Sequence, residues 1–184
     1  MSGAVPTFTT ERLILRELSE EYAASYEKHF VDYEIVSQLA KSVPWPYPAG
    51  GILDFIRTDV APNQGKGRWV WAIFLKTSPE EAIGCVDLVR KTSPANRGFW
   101  LGKKFWGQGY MTEAVKPVMD YAFGNLGFEK LIFANAVGND KSSRVKAKTG
   151  AKLLRREPAE YKNPAYSERE IWELTKEDWK KLKS

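Results

Sequence analysis

Gly107-Gln108-Gly109 stands between the apolar run Phe99-Trp100-Leu101 and a helix-like run that opens with Tyr110-Met111-Thr112. Glycine lets the backbone turn tightly and come close to a ligand. The amides from Gly107 to Thr112 then fall at a helix N-terminus, where the first N–H groups have no intrahelical acceptor. Such a place binds phosphate through amide hydrogen bonds and the helix dipole. Lys103 and Lys104 add positive charge beside it. Thr112 occupies the third glycine position of a dinucleotide fingerprint, and no Gly-Lys-Ser/Thr follows as in a P-loop. Alone, the pattern also fits an ordinary strand-to-helix turn.

Other chemistry is restricted by what the chain lacks. It has one histidine, His29, and one cysteine, Cys85. A Cys/His zinc site of structural type needs four ligands, so none is expected. No disulfide framework can form, which suggests a reducing compartment. His29 lies in the charged, helix-like stretch Tyr26-Glu27-Lys28-His29-Phe30 and reads as a surface or half-buried helix residue. Cys85 lies in an apolar run and reads as a small core residue. No segment approaches the roughly 18 apolar residues of a membrane span. The N-terminus carries no secretory pattern, so the cytoplasm is the expected location.

The elements that must position these residues are legible in outline. The chain has 184 residues, 43% hydrophobic and 28% charged, which is a globular composition. Segments 12–18, 68–75, 82–90, 98–101, 130–137, 152–156 and 170–174 read as strands. Ser19 is placed to cap a helix carrying Tyr22, Ala23, Tyr26 and Phe30 on one face. Val43-Pro44-Trp45-Pro46-Tyr47-Pro48 is a stiff aromatic loop, since proline has no amide to donate. Residues 52–60 read as a short helix. A longer helix spans Gly109 to about Asn125, with Pro117 expected to kink it or loosen one turn. Asn139 caps a short helix that Gly150 closes. Thr175 and Asp178 form a capping-box-like start for a last helical turn. This is a mixed α/β (α+β) order, a meander followed by helix, strand, helix and two strands. No linker divides it. The net charge of +5 suits a partner bearing phosphates. Lys and Arg are spread without a basic block, so nucleic acid is not expected.

Two motifs together resemble the Gcn5-related N-acetyltransferase (GNAT) superfamily, in the branch of ribosomal-protein N-terminal acetyltransferases. Lys104-Phe105-Trp106-Gly107-Gln108-Gly109 matches its acyl-CoA loop, followed by Tyr110 and Thr112-Glu113-Ala114. Asn139, Ser142, Lys148 and Gly150 match its Asn-x-x-Ser…Lys-x-Gly pattern. The opening Thr-Glu-Arg-Leu-x-Leu-Arg (Thr10–Arg16) and the Pro-Trp-Pro-Tyr-Pro loop are also similar. The resemblance covers residues 8–182 as one domain. It implies a mostly antiparallel, seven-stranded, V-shaped sheet flanked by helices, with acetyl-CoA held where two parallel strands splay. Pantetheine would pair near Phe99, Trp100 and Leu101. The pyrophosphate would lie on Gly107, Gln108, Gly109, Tyr110, Met111 and Thr112, with Lys104 and Lys148 nearby. Asn139 and Ser142 would approach the thioester. Four positions depart from the pattern, two of them Ala147 and Ala151, where a Glu and a Phe are usual. Lys104 replaces a Gln or Arg, and Lys146 stands where many members place the tyrosine that protonates the leaving thiolate.

The reaction so implied is transfer of acetyl to a primary amine, on a protein N-terminus or a small molecule, without a metal. Ser142 is the candidate acid. Candidate bases are Asp87, Glu160, Glu168 and Glu170, with Glu160 and Glu168 favoured by the branch's usual position. A buried carboxylate can have its pKa raised and take a proton. Trp45, Tyr47 and Asp87 are candidates for the acceptor site, as are Trp69 and Trp71, although strand alternation equally gives a core face. The absent tyrosine leaves an alternative, a non-catalytic acyl-CoA-binding module. A homodimer is compatible with either.

Overall fold

The computed structural model describes residues 5–91 and 95–184. Eight strands form one sheet in the order β1-β2-β3-β4-β5-β6-β8-β7. They are β1 (Phe8–Thr9), β2 (Leu13–Glu17), β3 (Arg68–Leu75), β4 (Gly84–Val89), β5 (Arg97–Leu101), β6 (Lys130–Ala136), β7 (Lys152–Pro158) and β8 (Glu168–Thr175). Seven of them are the expected strands, and β1 is a two-residue addition at the edge. The helices are α1 (Ala23–Phe30), α2 (Tyr33–Val36), α3 (Gly51–Phe55), α4 (Tyr110–Gly124), α5 (Asp140–Lys148) and α6 (Lys176–Lys183).

All neighbouring strands run antiparallel except β5 and β6, which are parallel. Their ladder holds a single Cα pair, Arg97 with Phe133. Asn96 secures that end, donating its amide to Ile132 O at 2.7 Å and accepting from Ile132 N at 2.9 Å through its side chain. Beyond it, Gly98–Leu101 pair only with β4, and Ala134–Ala136 pair only with β8. The sheet therefore opens at its centre.

Strand alternation divides the core between two faces. From β3, Trp69, Trp71 and Ile73 enter the core shared with α4, while Val70, Ala72 and Phe74 enter the core shared with α1 and α3. Both tryptophans are core residues, which decides for the core face over the acceptor wall that the sequence left beside it. Trp71 is fully buried. Its indole donates to Pro6 O at 2.8 Å, and its ring lies 5.6 Å from Phe8 and 5.9 Å from Tyr121.

Helix α4 buries Met111, Ala114, Val115, Val118, Met119, Ala122 and Phe123. It runs unbroken through Pro117. Asn139 caps α5 as expected, its side chain accepting from Ser142 N at 3.2 Å. Thr175 caps α6, accepting from Asp178 N at 3.0 Å. Ser19 makes no cap bond to the backbone; its hydroxyl donates to Glu21 at 3.0 Å. His29 is buried rather than half-exposed, because Glu81 at 2.8 Å gives its ring a polar partner and Phe105 packs edge-on against it. Cys85 is buried as expected.

Candidate active site

The gap between β5 and β6 widens into a cleft of about 890 Å³. Its wall includes Phe99, Trp100 and Leu101 from β5, Gly107, Gly109, Tyr110, Met111 and Thr112 from the glycine turn, and Asn139, Ser142, Lys146 and Lys148 from the start and inner face of α5. Most of the residues that sequence reasoning grouped therefore share one space.

At the turn, Gly107 and Gly109 have φ of +75° and +81°. These lie in the left-handed region that favours glycine. The first backbone bond of α4 runs from Glu113 N to Gly109 O at 3.0 Å. Among the described residues, no amide from Gly107 to Thr112 has a backbone acceptor. A Cβ on Gly107 would meet nothing within 4 Å, so the arc faces open space. Six amides at a helix N-terminus, beside an open cleft, suit a diphosphate.

Arg12 and Thr10 hold this arc in place. Glu113 accepts from Thr10 Oγ1 at 2.6 Å, from Arg12 N at 2.8 Å and from Arg12 Nε at 2.8 Å. Arg12 Nη1 also donates to Gln108 O at 2.9 Å. Burial tends to raise the Glu113 carboxyl, but these bonds outweigh it and hold the group below its ordinary value. Its contribution to stability is therefore full above the ordinary carboxylate pKa and is lost as pH falls below that range. Arg12 is partly exposed, so the stabilisation is discounted to about 1 kcal/mol. Glu113→Gln should lower Tm by about 2–4 °C at neutral pH, with the gap to the parent closing in acid. Equal melting temperatures at neutral pH would remove this clamp from the account.

Some predicted residues fall elsewhere. Lys104 lies outside the cleft wall, with its ammonium 4.0 Å from Glu81. The Gln108 side chain turns back to Lys104 O at 3.2 Å. Tyr47 packs edge-on against Phe30, and Trp45 is exposed against Tyr33. Neither lines the cleft, because the proline-rich loop folds onto α1 and α2. Glu168 stands at the exposed start of β8, also outside it. These expected cofactor, acceptor and base residues therefore lie outside the cleft wall.

Asp87 and Glu160 do line the cleft. Arg68 grips Asp87 with two bonds, at 3.1 Å and 2.5 Å. Burial raises the Asp87 carboxyl and Arg68 only partly offsets it. Glu160 is exposed and paired with Lys41 at 3.0 Å. The wall around them comes from segments far apart in sequence. Lys162 N donates to Leu39 O at 3.0 Å and Asn163 N to Ser37 O at 3.1 Å. Ala40 and Tyr161 form a bridge. Burial pushes the Tyr161 hydroxyl up to about 12, so it stays protonated at neutral pH.

The cleft wall holds two buried cations: Arg97, which the sequence did not single out, and Lys146, which it marked only as a departure at the tyrosine position. Arg97 is 3% exposed. Its guanidinium lies 3.8 Å from the Phe133 ring centroid, and burial lowers it to about 9. Lys146 is 2% exposed and donates to Ser142 Oγ at 2.6 Å. Glu170, also buried, accepts from Ser143 at 2.6 Å and from Arg156 at 3.0 Å. Asn135 and Trp172 also donate to it, at 3.3 Å and 3.2 Å. Burial favours its neutral form, yet those bonds outweigh it and keep the carboxyl low. Glu170 is thus a fixed anion rather than a base.

Residues 12–152 match the model of the acetyltransferase (GNAT) domain. The chain belongs to this family. It is a GNAT acetyltransferase. The family match decides for an enzyme over the binding module that the sequence left open. The acetyltransferase is 27% identical, over 97% of its length and 80% of the relative's, to FsC-acetyl coenzyme A-N(2)-transacetylase of Aspergillus fumigatus. Its fold is similar to that of the ribosomal-protein-S5-alanine acetyltransferase from Vibrio fischeri, with a TM-score of 0.79, 19% identity, and coverage of 95% and 99% of the two chains. It is also similar to RimL, a ribosomal L7/L12 alpha-N-protein acetyltransferase in complex with coenzyme A. There the TM-score is 0.75 and identity 20%, over 93% of this chain and 97% of that one. Among the described residues, no helix of the acetyltransferase is long and apolar enough to cross a membrane.

Proposed function

We propose that the enzyme uses acetyl-CoA as its donor and transfers acetyl to a primary amine. The observation that carries this reading is the arc of unbonded amides from Gly107 to Thr112 at the head of the β5–β6 cleft. A diphosphate on that arc directs the pantetheine along Phe99–Leu101. There the edge of β5 has no strand partner on the β6 side, and an amide-bearing arm can bond to it as an added strand would. Asn139 and Ser142 then flank the thioester from the start of α5. The named relatives act with coenzyme A or on ribosomal proteins, which supports the donor and makes a protein N-terminus the first acceptor to test.

The acceptor end is lined by Leu39, Tyr161, Asp87 and Glu160, apolar surface with two carboxylates. That wall suits an amine arriving as a cation. Only the neutral amine attacks, and a protein N-terminus, with pKa about 7.7–8.0, sheds its proton readily near neutral pH. A strong base is then unnecessary, and either carboxylate with a water suffices for the remainder. We assign the cytoplasm as the compartment, consistent with a lone, unpaired cysteine.

The test is a thiol-release assay with acetyl-CoA and a panel of amines, including peptides with free N-termini and small polyamines. Turnover with peptides above the others supports a protein acceptor. Turnover with none, or release only by hydrolysis, removes the reading.

A further inference from the structure

Lysine is rarely buried without a carboxylate partner, yet Lys146 is 2% exposed in the cleft wall. Among the described residues, no carboxylate lies within ion-pair distance of its ammonium. Its neighbours are known from each side. Ser142 lies one helical turn earlier, with Oγ 2.6 Å from Nζ. From β5, the Phe99 ring centroid lies 5.3 Å from Nζ, and the Arg97 cation faces it. From β8, Glu170 faces it at longer range, and Asn135 on β6 is uncharged. Burial and then Arg97 disfavour the ammonium, and Glu170 favours it; the outcome is a proton held well below a lysine's usual grip.

A structural lysine would seek a carboxylate or reach solvent. Lys146 does neither. It donates to the hydroxyl that borders the reacting end of the cleft. Because Ser142 Oγ accepts from Nζ, its own O–H is free to point into the cleft. We propose that Lys146 is the proton source for the departing thiolate, with Ser142 Oγ as the relay. The inference rests on the acetyl-CoA reading above. In the step, the acceptor nitrogen bonds to the acyl carbon and the carbon–sulfur bond breaks, its electron pair passing to sulfur. Sulfur takes the Ser142 proton, and Ser142 takes one from Lys146. The amine of Lys146 regains a proton from the one the acceptor nitrogen sheds, carried by water.

The experiment compares the parent with Lys146→Met, Lys146→Arg and Glu170→Gln. It measures kcat against pH with the best amine, the Kd of coenzyme A by calorimetry, and the Lys146 Nζ titration by NMR without ligand. A thiolate is a weak base, so kcat of Lys146→Met should fall roughly tenfold to a hundredfold, at or below the low end of the ~10²–10⁴-fold usual for general acids. The decline of rate at high pH, where Lys146 loses its proton, should vanish. Coenzyme A affinity should stay within about threefold, which also reports a folded site. Arginine keeps the charge but does not release a proton, so Lys146→Arg should not restore the rate. Glu170→Gln removes the anion that favours the ammonium, so both the basic limb and the Nζ titration should move to lower pH. Parent-like kcat in Lys146→Met, full rescue by Arg, or an Nζ titration unmoved by Glu170→Gln overturns the assignment. A parent that acetylates no amine removes this inference together with the functional reading. A parent that turns over and is indifferent to Lys146 removes this inference alone.

Discussion

Trp71→Ala should destabilise the protein by about 3–5 kcal/mol, the usual cost of emptying a large aromatic site in a core. That is a large part of a typical domain's total stability of about 5–15 kcal/mol. The indole is fully buried and joins three parts of the chain. It bonds to Pro6 O, packs on Phe8 of β1 and meets Tyr121 of α4 edge-on. Its removal leaves a cavity under the edge of the sheet and under the helix that carries the glycine turn. Denaturant unfolding should show the loss as a lower midpoint, and Tm should drop by more than about 6 °C. If Trp71 were an acceptor wall instead, the variant would keep its stability and show a raised KM. An unchanged unfolding midpoint would sink the core assignment.

Gly109→Val should weaken coenzyme A binding by about tenfold to a hundredfold. Gly109 sits at φ +81°, where a β-branched residue is a severe outlier costing about 1–3 kcal/mol. The turn can relieve that strain only by rotating its peptides, which turns the amides away from their common focus. Each 1.4 kcal/mol is a factor of ten in affinity. A Cβ there would only touch Arg12 Nη2, at an ordinary contact distance of 3.5 Å, so the backbone strain carries the effect. Gly109→Ala should fall between the two. Calorimetry with coenzyme A reads the effect directly, and a Val variant that binds as the parent does would show that the arc does not grip the diphosphate.

The parts of the molecule that the sequence revealed are those decided locally. An unbroken apolar run marks β3 because both its faces are buried in successive residues. The glycine turn is legible because its conformation, its position after a strand and its free amides all follow from neighbouring residues. The Thr10–Arg12 segment and the Glu113 position were recognised as motifs, but their contact was not. It joins residues about a hundred apart. The full wall of the acceptor end was not legible for the same reason. Segment 37–40 and segment 159–163 meet only through tertiary hydrogen bonds, and nothing local in Trp45 or Tyr47 says that their loop turns onto Phe30 and Tyr33. Lys146 was marked in the sequence only as a departure, a lysine at the position where many members of the resembling family carry a tyrosine, and nothing there told that it is buried. Its burial follows from how α5 docks against the opened sheet, which no spacing pattern reports.

Cys85 gives the proposed assay an unusually clean background. The thiol is the chain's only one, it is sealed beneath the sheet beside the Tyr26 hydroxyl at 3.4 Å, and burial pushes it up to about 12. Only a thiolate attacks a disulfide reagent, so the folded enzyme contributes no colour of its own at neutral pH. Every equivalent of chromophore released would then count a molecule of coenzyme A set free.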